Sequence, residues 1–477
     1  MFSFVSRPMV VALIVACALF MENLDGTVIT TALPAMAVSF GDTPTRLSLG
    51  VTVYMISLAI FIPISGWVAD RYGARVVFRA AIAVFTLSSI LCGFSNNLAE
   101  LAAARVLQGV GGAMMVPVGR LVLLRSVAKS ELVRAMAYLT VPALLGPVLG
   151  PPIGGFITTY ASWRWIFFLN IPLGLLGLVL VAVFMVNHKA EARRSFDTPG
   201  FILSGVGLGS LLFGLDQLGR PAFGPAITAL LVGGGAVVCV LAYRHLRRAR
   251  NPLIDLSLFR IPTFGLATLF AGTGFRIVIG ATPLLWPLLF QVGFGMTAFA
   301  SGSLIIACAA GDLTMKVFST RILRRFGFRQ TLIVNGIFVG LTMLACAAFS
   351  AATPVAAIAA VLFVAGLSRS VQFGAFNALT YVDVPPAQMS SASSLASTIQ
   401  QMSFGIGIAF AALALHLAAL WNGSSAQAFT VADFRIAFMA TAALAICAAL
   451  AFTRLDPHAG AIATGHRAES TSPVLAG

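Results

Sequence analysis

Two carboxylic acids lie inside the first long apolar stretch of the chain, where an ionisable side chain is costly. In the run Glu22-Asn-Leu-Asp25-Gly-Thr they stand three residues apart, so a helix would present both on one face. Acids within a membrane segment are by default candidates for function. Proton coupling requires a carboxyl group that takes up and releases a proton as its exposure changes, and Asp25 is the leading candidate, with Glu22 as its neighbour. A static ion pair with a basic residue on another helix is the alternative.

Ionisable and amide side chains also fall inside later apolar stretches. Asp312 and Lys316 are spaced i and i+4 and are expected to neutralise each other. Arg276 and Arg369 have no such local partner. They could bind a carboxylate or phosphate through paired hydrogen bonds, or pair with the acids of the first stretch. The residues predicted to line a substrate cavity are Gln108, Arg276, Asp312, Lys316, Arg369, Gln372 and Gln401.

The elements that position these groups must be membrane helices. Of the 477 residues, 59% are hydrophobic and 9% are charged, against about 25% charged in soluble domains. Lys and Arg exceed Asp and Glu by 30 to 15, but the basic residues are spread over separate short loops, which indicates membrane topology and gives no support for nucleic-acid binding. The six cysteines all lie in apolar runs without a Cys-x-x-Cys pair, so neither a metal nor another cofactor is expected.

A span needs about 20 mostly apolar residues, and this rule predicts fourteen, with a chain of twelve spans as the alternative. They lie at roughly 9–32, 47–68, 77–95, 99–123, 136–158, 164–186, 199–217, 225–243, 263–289, 298–318, 330–350, 354–376, 392–420 and 434–453. Basic residues fill alternate loops, which places both termini in the cytoplasm. We predict a six-helix bundle over residues 1–190, two inserted helices with a basic linker over 191–260, a second six-helix bundle over 261–455 and a disordered tail over 456–477.

A charged loop after the second span is repeated later in the chain. The first copy contains Gly66, Asp70, Arg71, Gly73 and Arg75, and the second is Arg325-Phe-Gly327-Phe-Arg329 after the tenth span. Two copies of one membrane unit facing each other across a cavity are typical of secondary transporters. Gly73 suits a tight turn, and Asp70 can pair with an arginine or cap a neighbouring helix, so we expect this loop to gate the two halves. Charge that only sets topology is the alternative.

Two glycine-rich stretches predict close helix packing. In the fifth span the glycines alternate with prolines, which bend a helix and free backbone carbonyls; the residues singled out there are Gly146, Pro147, Gly150, Gly154 and Gly155. The seventh span carries Gly205, Gly207 and Gly209, for which packing within the chain is favoured over a dimer contact.

These motifs resemble those of the major facilitator superfamily, whose loop pattern Gly-x-x-x-Asp-Arg-x-Gly-x-Arg/Lys matches all five loop residues. The stretch from Leu24 to Pro34 is similar to the Leu-Asp-x-Thr-x-x-Asn-x-Ala-Leu-Pro pattern of its fourteen-span drug:proton antiporters, the EmrB/QacA type, and departs from it at Thr30. The resemblance implies the major facilitator fold and alternating access. It also implies that Arg105, in Arg-x-x-Gln-Gly, takes part in proton transfer or orients the carboxylate of the first span. The glycine–proline stretch resembles the antiporter motif, which favours export over uptake.

The expected function is therefore proton-coupled efflux of drugs or other amphipathic compounds across a bacterial inner membrane. Export of a small organic anion, such as citrate or its metal chelate, is the rival hypothesis, and it depends on Arg276 and Arg369. A membrane enzyme or sensor is a distant alternative, because no nucleotide loop, metal spacing, nucleophile elbow or soluble domain is recognisable. The expected partners are a small-molecule substrate, protons and the lipid bilayer. A monomer is expected, and a periplasmic adaptor protein is left open.

Overall fold

The computed structural model describes residues 7–42, 44–47, 49–127, 131–187, 195–219, 224–423 and 429–464. Within these ranges the chain is built of helices joined by short turns. The α-helices of the first part are α1 (Arg7–Phe40), α2 (Pro44–Leu47), α3 (Leu49–Phe61), α4 (Ser65–Tyr72), α5 (Ala74–Phe94), α6 (Leu98–Ser126), α7 (Leu132–Tyr160), α8 (Trp165–Phe168) and α9 (Asn170–Phe184). They are followed by α10 (Thr198–Gly219), α11 (Pro225–Arg248), α12 (Pro262–Gly265), α13 (Ala271–Leu288), α14 (Ala298–Ala347), α15 (Val355–Val382), α16 (Met389–Asn422), α17 (Val431–Ala451) and α18 (Ala461–Thr464).

Within the described ranges, twelve helical segments are long and apolar enough to cross a membrane. Helix α7 is a further long element; its 29 residues extend about 43 Å at 1.5 Å per residue. Helix α14 runs over 50 residues but is broken at Gly327, whose φ of 67° and ψ of 178° are not helical, so it consists of two arms. Short helical turns also extend α3 and α13, through Ile62–Ile64 and through Leu266–Phe270 and Leu289–Gly293.

The helices form an N-terminal bundle (α1–α9) and a C-terminal bundle (α12–α17). In the N-terminal bundle α1 packs against α7, α6 and α9, and α5 packs against α6. In the C-terminal bundle α14 packs against α15 and α17, and α13 packs against α16 and α17. Burial of apolar side chains cannot drive helices together in lipid, so close approach at small residues and hydrogen bonds must hold each bundle.

The two copies of the charged loop have the same backbone geometry. Gly73 and Gly327 both have positive φ, 95° and 67°, which a residue with a Cβ rarely adopts. Two residues after each glycine an arginine donates a hydrogen bond to the end of the last helix of its bundle. Arg75 Nη2 donates to the Ala182 carbonyl near the end of α9, and Arg329 Nη2 donates to the Thr453 carbonyl just after α17, at 2.9 Å. The structural correspondence supports the duplication inferred from the sequence.

Helices α10 and α11 lie between the two bundles in the chain. Gly205 and Gly209 of α10 face Ile60 and Ile56 of the second span, and Gly207 faces Cys239 of α11. Helix α10 also packs against α16 of the C-terminal bundle. The glycines of this span therefore serve close packing within the chain.

The end of the described chain is more ordered than predicted. Residues 461–464 form α18, which packs against α14 and α7, and Ala463 is buried. The stretch predicted as a tail, 456–477, thus includes a short helix within the described residues. Residues 465–477, the remainder of that tail, lie outside the described residues.

Candidate functional site

A cavity of about 1230 Å³ lies between the two bundles. Its lining follows the second span from Val51 to Ile62, close to the first charged loop. Most of the lining is apolar. The aromatic contributions come from Phe156, Trp286, Phe373 and Phe404, and the ionisable ones from Glu22, Arg120, Asp312 and Arg369. A large apolar cavity with a few convergent charges is the usual form of a small-molecule site.

Asp25 lies outside this cavity, in a sealed polar cluster of the N-terminal bundle. Its carboxylate is 2.5 Å from Nη1 of Arg105, and the two side chains are almost completely buried. Gln108 Nε2 and Asn170 Nδ2 donate hydrogen bonds to the other carboxylate oxygen at 3.0 and 2.9 Å. Asp25 therefore accepts three hydrogen bonds, which offsets part of the cost of burying its charge, whereas Nη2 of Arg105 has no partner among the described residues.

Helices α3, α5, α6 and α9 all contribute side chains or backbone groups to this cluster. Ser89 accepts hydrogen bonds from Gln108 at 2.7 Å and from Asn170 at 3.0 Å. Arg105 donates from Nε to the Gly50 carbonyl at 3.2 Å, and its guanidinium lies 4.2 Å from the ring centre of Tyr54. The cluster joins five helices of one bundle, α1, α3, α5, α6 and α9, around a single carboxylate. Gln108, predicted to line the cavity, belongs to this cluster instead.

Glu22 has a different environment although it is one turn from Asp25. It lines the cavity, and Oε2 has no hydrogen-bond partner among the described residues. A Cβ placed on Gly112 of α6 would lie 3.6 Å from Glu22 Oε1, which fixes the height of the carboxylate along α6. The predicted pair of acids is thus divided by the structure, with Glu22 facing the cavity and Asp25 facing the protein interior.

On the opposite wall Asp312 pairs with Arg369 across two helices. Arg369 donates from Nε at 3.1 Å and from Nη2 at 2.9 Å to Asp312 Oδ2. The expected neutralisation of Asp312 by Lys316 is not the arrangement found, because the guanidinium offers two converging donors where the ammonium offers a point charge. Lys316 lies behind this wall, buried and outside the cavity lining.

Two further residues predicted for the cavity lie elsewhere. Arg276 is 1% exposed within the C-terminal bundle. It donates to the Ala267 carbonyl at 2.9 Å and its guanidinium lies 4.6 Å from the ring centre of Phe376. Gln372 is bound to the Leu332 carbonyl and to Asn335, at 3.2 and 2.9 Å. Both residues lie on helix faces that pack within the C-terminal bundle. Residue spacing alone does not distinguish such a face from one that lines the cavity. Gln401, in contrast, does line the cavity.

Arg120 is a cavity residue that sequence reasoning missed. It sits on α6, is 7% exposed, and donates from Nη1 to the Tyr381 hydroxyl at 3.1 Å and to Ser397 Oγ at 3.4 Å. Both partners are neutral and belong to the C-terminal bundle. An arginine within a membrane span without a local acid is a signal that could have identified it.

On the side of the molecule that carries the first charged loop, the two bundles touch through hydrogen bonds. Asp70 is 3.2 Å from Nη2 of Arg125 and accepts a hydrogen bond from Ser390 of α16. Further along α16, Ser393 donates to the Pro117 carbonyl at 2.7 Å and Ser394 donates to the Ile62 carbonyl at 2.9 Å. Ser390, Ser393 and Ser394 on one face of α16 therefore bond the two bundles together on this side of the molecule. This group of serines was not recognised in the sequence.

The other residues of the loop motif have separate tasks. A Cβ on Gly66 would lie 2.8 Å from the Ser390 carbonyl oxygen, so the glycine lets the bundles approach closely. Gly73 makes the tight turn, and Arg75 binds the end of α9. Arg71 is exposed.

The glycines of α7 bring this helix against α1 next to the two acids. A Cβ on Gly146, Gly150 or Gly154 would approach α1 atoms to 2.8, 2.1 and 2.2 Å, respectively. Gly155 points away from α1 and lines the cavity. The side chain of Pro147 lies outside the described part of the structure. The stretch therefore fixes the position of α1 relative to the cavity.

Two helical bundles around a central cavity are an architecture shared with a known protein family. Residues 15–408 match the model of the Major Facilitator Superfamily, and the chain belongs to that family. It is 38% identical over 449 residues to the "Putative multidrug resistance protein MdtD" of Escherichia coli O6:H1, covering 93% of this chain and 94% of the relative. It is 40% identical over 402 residues to the protein of the same name from Salmonella paratyphi A, covering 84% and 85%. The family assignment made from the motifs is confirmed, and the chain is a transporter-family member rather than an enzyme.

Solved structures agree on the fold. The human organic anion transporter MFSD10 has a TM-score of 0.65 at 13% identity, with 94% of this chain and 99% of that chain covered. The proton:xylose symporter XylE bound to 6-bromo-6-deoxy-D-glucose has a TM-score of 0.65 at 14% identity, with 95% and 97% covered. The all-helical major facilitator fold is confirmed.

Proposed function

We propose that this protein exports amphipathic, positively charged compounds from the bacterial cytoplasm in exchange for protons. The observation that carries this proposal is Glu22, a carboxylate without a partner among the described residues, in a wide and mostly apolar cavity. A lipophilic cation would bring its own counter-charge to that carboxylate and bury its apolar body against the aromatic walls. The relatives' names as multidrug resistance proteins support the same substrate class.

The same geometry argues against the anion site that the sequence suggested at Arg276 and Arg369. That hypothesis depended on Arg276 and Arg369 converging in the cavity. Arg276 lies outside the lining and Arg369 is bound by Asp312 through two hydrogen bonds. A carboxylate substrate would have to displace Asp312 from a charge-assisted pair, which costs more than it returns.

For proton coupling we propose that Glu22 is the group on which proton and substrate compete. In the cavity it can be reached by water or by the cation in turn. Asp25 is held by Arg105 in this conformation, so its role in coupling is secondary here and becomes direct when α1 and α6 move apart. In this assignment Glu22 is the leading proton carrier and Asp25 is secondary, which is the reverse of the expectation from the sequence.

The full topology is part of the proposal. The twelve candidate segments include α14 once. Counting its two arms separately and adding α7 gives fourteen spans, arranged as bundles over 1–190 and 261–455 with two inserted helices over 191–260. The basic loops would face the cytoplasm together with both termini, in a bacterial inner membrane. The closed, serine-bonded side would then be cytoplasmic and the cavity would face the periplasm, as after substrate release.

The test is transport by the purified protein in liposomes that are acidic inside and alkaline outside. Ethidium, a permanent cation that a pH gradient alone does not concentrate, should accumulate only in vesicles that hold protein and gradient. Glu22→Gln should abolish accumulation, and Asp25→Asn should slow it. Accumulation of radiolabelled citrate without ethidium would establish an organic-anion exporter instead. Ethidium flux that ignores the gradient would refute proton coupling.

A further inference from the structure

The cavity carries one carboxyl group and one guanidinium group that lack a partner of opposite charge. Glu22 has no hydrogen-bond partner for Oε2, and Arg120 is bound only to the hydroxyl groups of Tyr381 and Ser397; within the described ranges neither meets a charge of opposite sign. Asp312 and Arg369 on the far wall cancel each other. Two opposite charges held in one mostly apolar space cost desolvation energy unless a ligand compensates them.

Their separation can be read along α6. Glu22 Oε1 lies at the height of Gly112, and Arg120 is eight residues further, which is about 12 Å and two turns of helix. The negative group thus lies midway up the cavity and the positive group at its floor, beside the closed interface between the bundles. They are too far apart in this arrangement to serve each other as an ion pair.

A second arginine contacts the same helix as Arg120. Arg276 lies outside the cavity lining, and its guanidinium is 4.6 Å from the ring centre of Phe376 on α15, the helix that carries Tyr381. Its Nε has no hydrogen-bond partner among the described residues. An anionic group that reaches Arg120 would gain planar, charge-assisted hydrogen bonds.

We propose that the preferred substrates are zwitterions, amphipathic molecules whose cationic group binds Glu22 and whose carboxylate binds Arg120. This inference rests on the proposed function and narrows its substrate class. The ammonium group displaces a proton from Glu22, while the carboxylate enters with its own charge balanced by Arg120. A zwitterion so bound compensates both unpaired charges, whereas a simple cation leaves Arg120 unmatched.

The test compares dyes on one xanthene scaffold by fluorescence anisotropy on the purified full-length protein. Rhodamine B is a zwitterion, its ethyl ester is a cation and fluorescein is an anion. Wild type should bind rhodamine B roughly tenfold or more tightly than the ester, as expected for one added charge-assisted contact. Arg120→Gln should remove this preference by weakening rhodamine B alone, and Arg120→Lys should restore part of it. Thermal unfolding of each variant shows whether it is folded.

The alternative results are distinct. Equal binding of rhodamine B and its ester by wild type, or equal weakening of both by Arg120→Gln, would overturn the zwitterion assignment. If the liposome assay still shows ethidium exchange for protons, the proposed function stands while this inference falls. Fluorescein bound as tightly as rhodamine B would also overturn it, because the contribution of Glu22 would then be nil. Arg120-dependent binding of rhodamine B without transport of any dye would support the site and refute the exporter.

Discussion

Glu22 and Asp25 are one turn apart on α1, yet only Glu22 reaches the central cavity, while Asp25 accepts hydrogen bonds from Arg105, Gln108 and Asn170. The sealed carboxylate accepts three hydrogen bonds and joins α1 to α6 and α9. The cavity carboxylate has none of these donors and is available to a proton or a ligand. Asp25 therefore supports the fold, and Glu22 is available for charge exchange. This difference can be tested.

Replacing Glu22 by glutamine should weaken cation binding and remove its pH dependence. A cation binds the ionised carboxylate, so in wild type ethidium affinity should fall as the pH falls and protons neutralise Glu22. Glu22→Gln should bind about tenfold or more weakly, as for a lost charge-assisted contact, and equally at all pH values. Titrations by dye fluorescence between pH 5 and pH 9 measure both effects. Glu100→Gln, which changes the same group in an exposed turn, should leave affinity and pH dependence as in wild type.

Removing Arg105 should destabilise the protein far more than removing the ion pair as a whole. Arg105→Ala leaves Asp25 charged and buried, at a cost of about 3–5 kcal/mol. In the double variant Arg105→Ala with Asp25→Asn, neither charge of this pair remains, and much of the lost stability should return. Thermal unfolding in detergent of the two single variants and the double variant gives the coupling energy. Simply additive losses would show that the two groups do not act as a pair.

A methyl group on Gly150 should be tolerated worse than one on Gly155. The added Cβ would lie 2.1 Å from Thr27 Oγ1 at Gly150 but would meet nothing within 4 Å at Gly155. Gly150→Ala should therefore cost about 1–3 kcal/mol by overpacking, and Gly155→Ala should leave stability unchanged. Adding Thr27→Ala to Gly150→Ala removes the hydroxyl and should restore part of the loss. Comparable melting temperatures for the two glycine variants would contradict the close contact between α1 and α7.

Weakening Asp70 should open the serine-bonded side. Asp70→Asn removes the charge that binds Arg125 and accepts from Ser390, so the open arrangement should gain population. With the six native cysteines replaced, Ser394→Cys reports on this interface, because the Ser394 hydroxyl is bonded to the opposite bundle. Its alkylation should be roughly tenfold faster with Asp70→Asn. Ser403→Cys, buried and bonded within its own helix, is the control and should remain protected in both backgrounds.

Local spacing was enough to find the acids of the first span, the loop glycines and the close packing of the fifth span, because each depends on neighbours in the same helix or on one turn. Partner choice across helices could not be predicted in this way. Lys316 lies one turn from Asp312, yet Asp312 pairs with Arg369, 57 residues further along the chain. Asn170 and Ser89 gave no signal because a single amide or hydroxyl is common in apolar helices. Arg276 and Arg120 look alike in the sequence, and only packing shows which of them faces the cavity.

The inserted helix α10 has a consequence for the route that a lipid-soluble substrate can take. It lies along α3 and α16, and its Leu212 and Leu215 form part of the cavity wall. Its outer partner α11 is largely exposed on the far side. Along this face the seam between the bundles is covered by two helices, so acyl chains and molecules dissolved among them are kept from the cavity. Sideways entry from the bilayer is then expected at the opposite seam, where α7 meets α14.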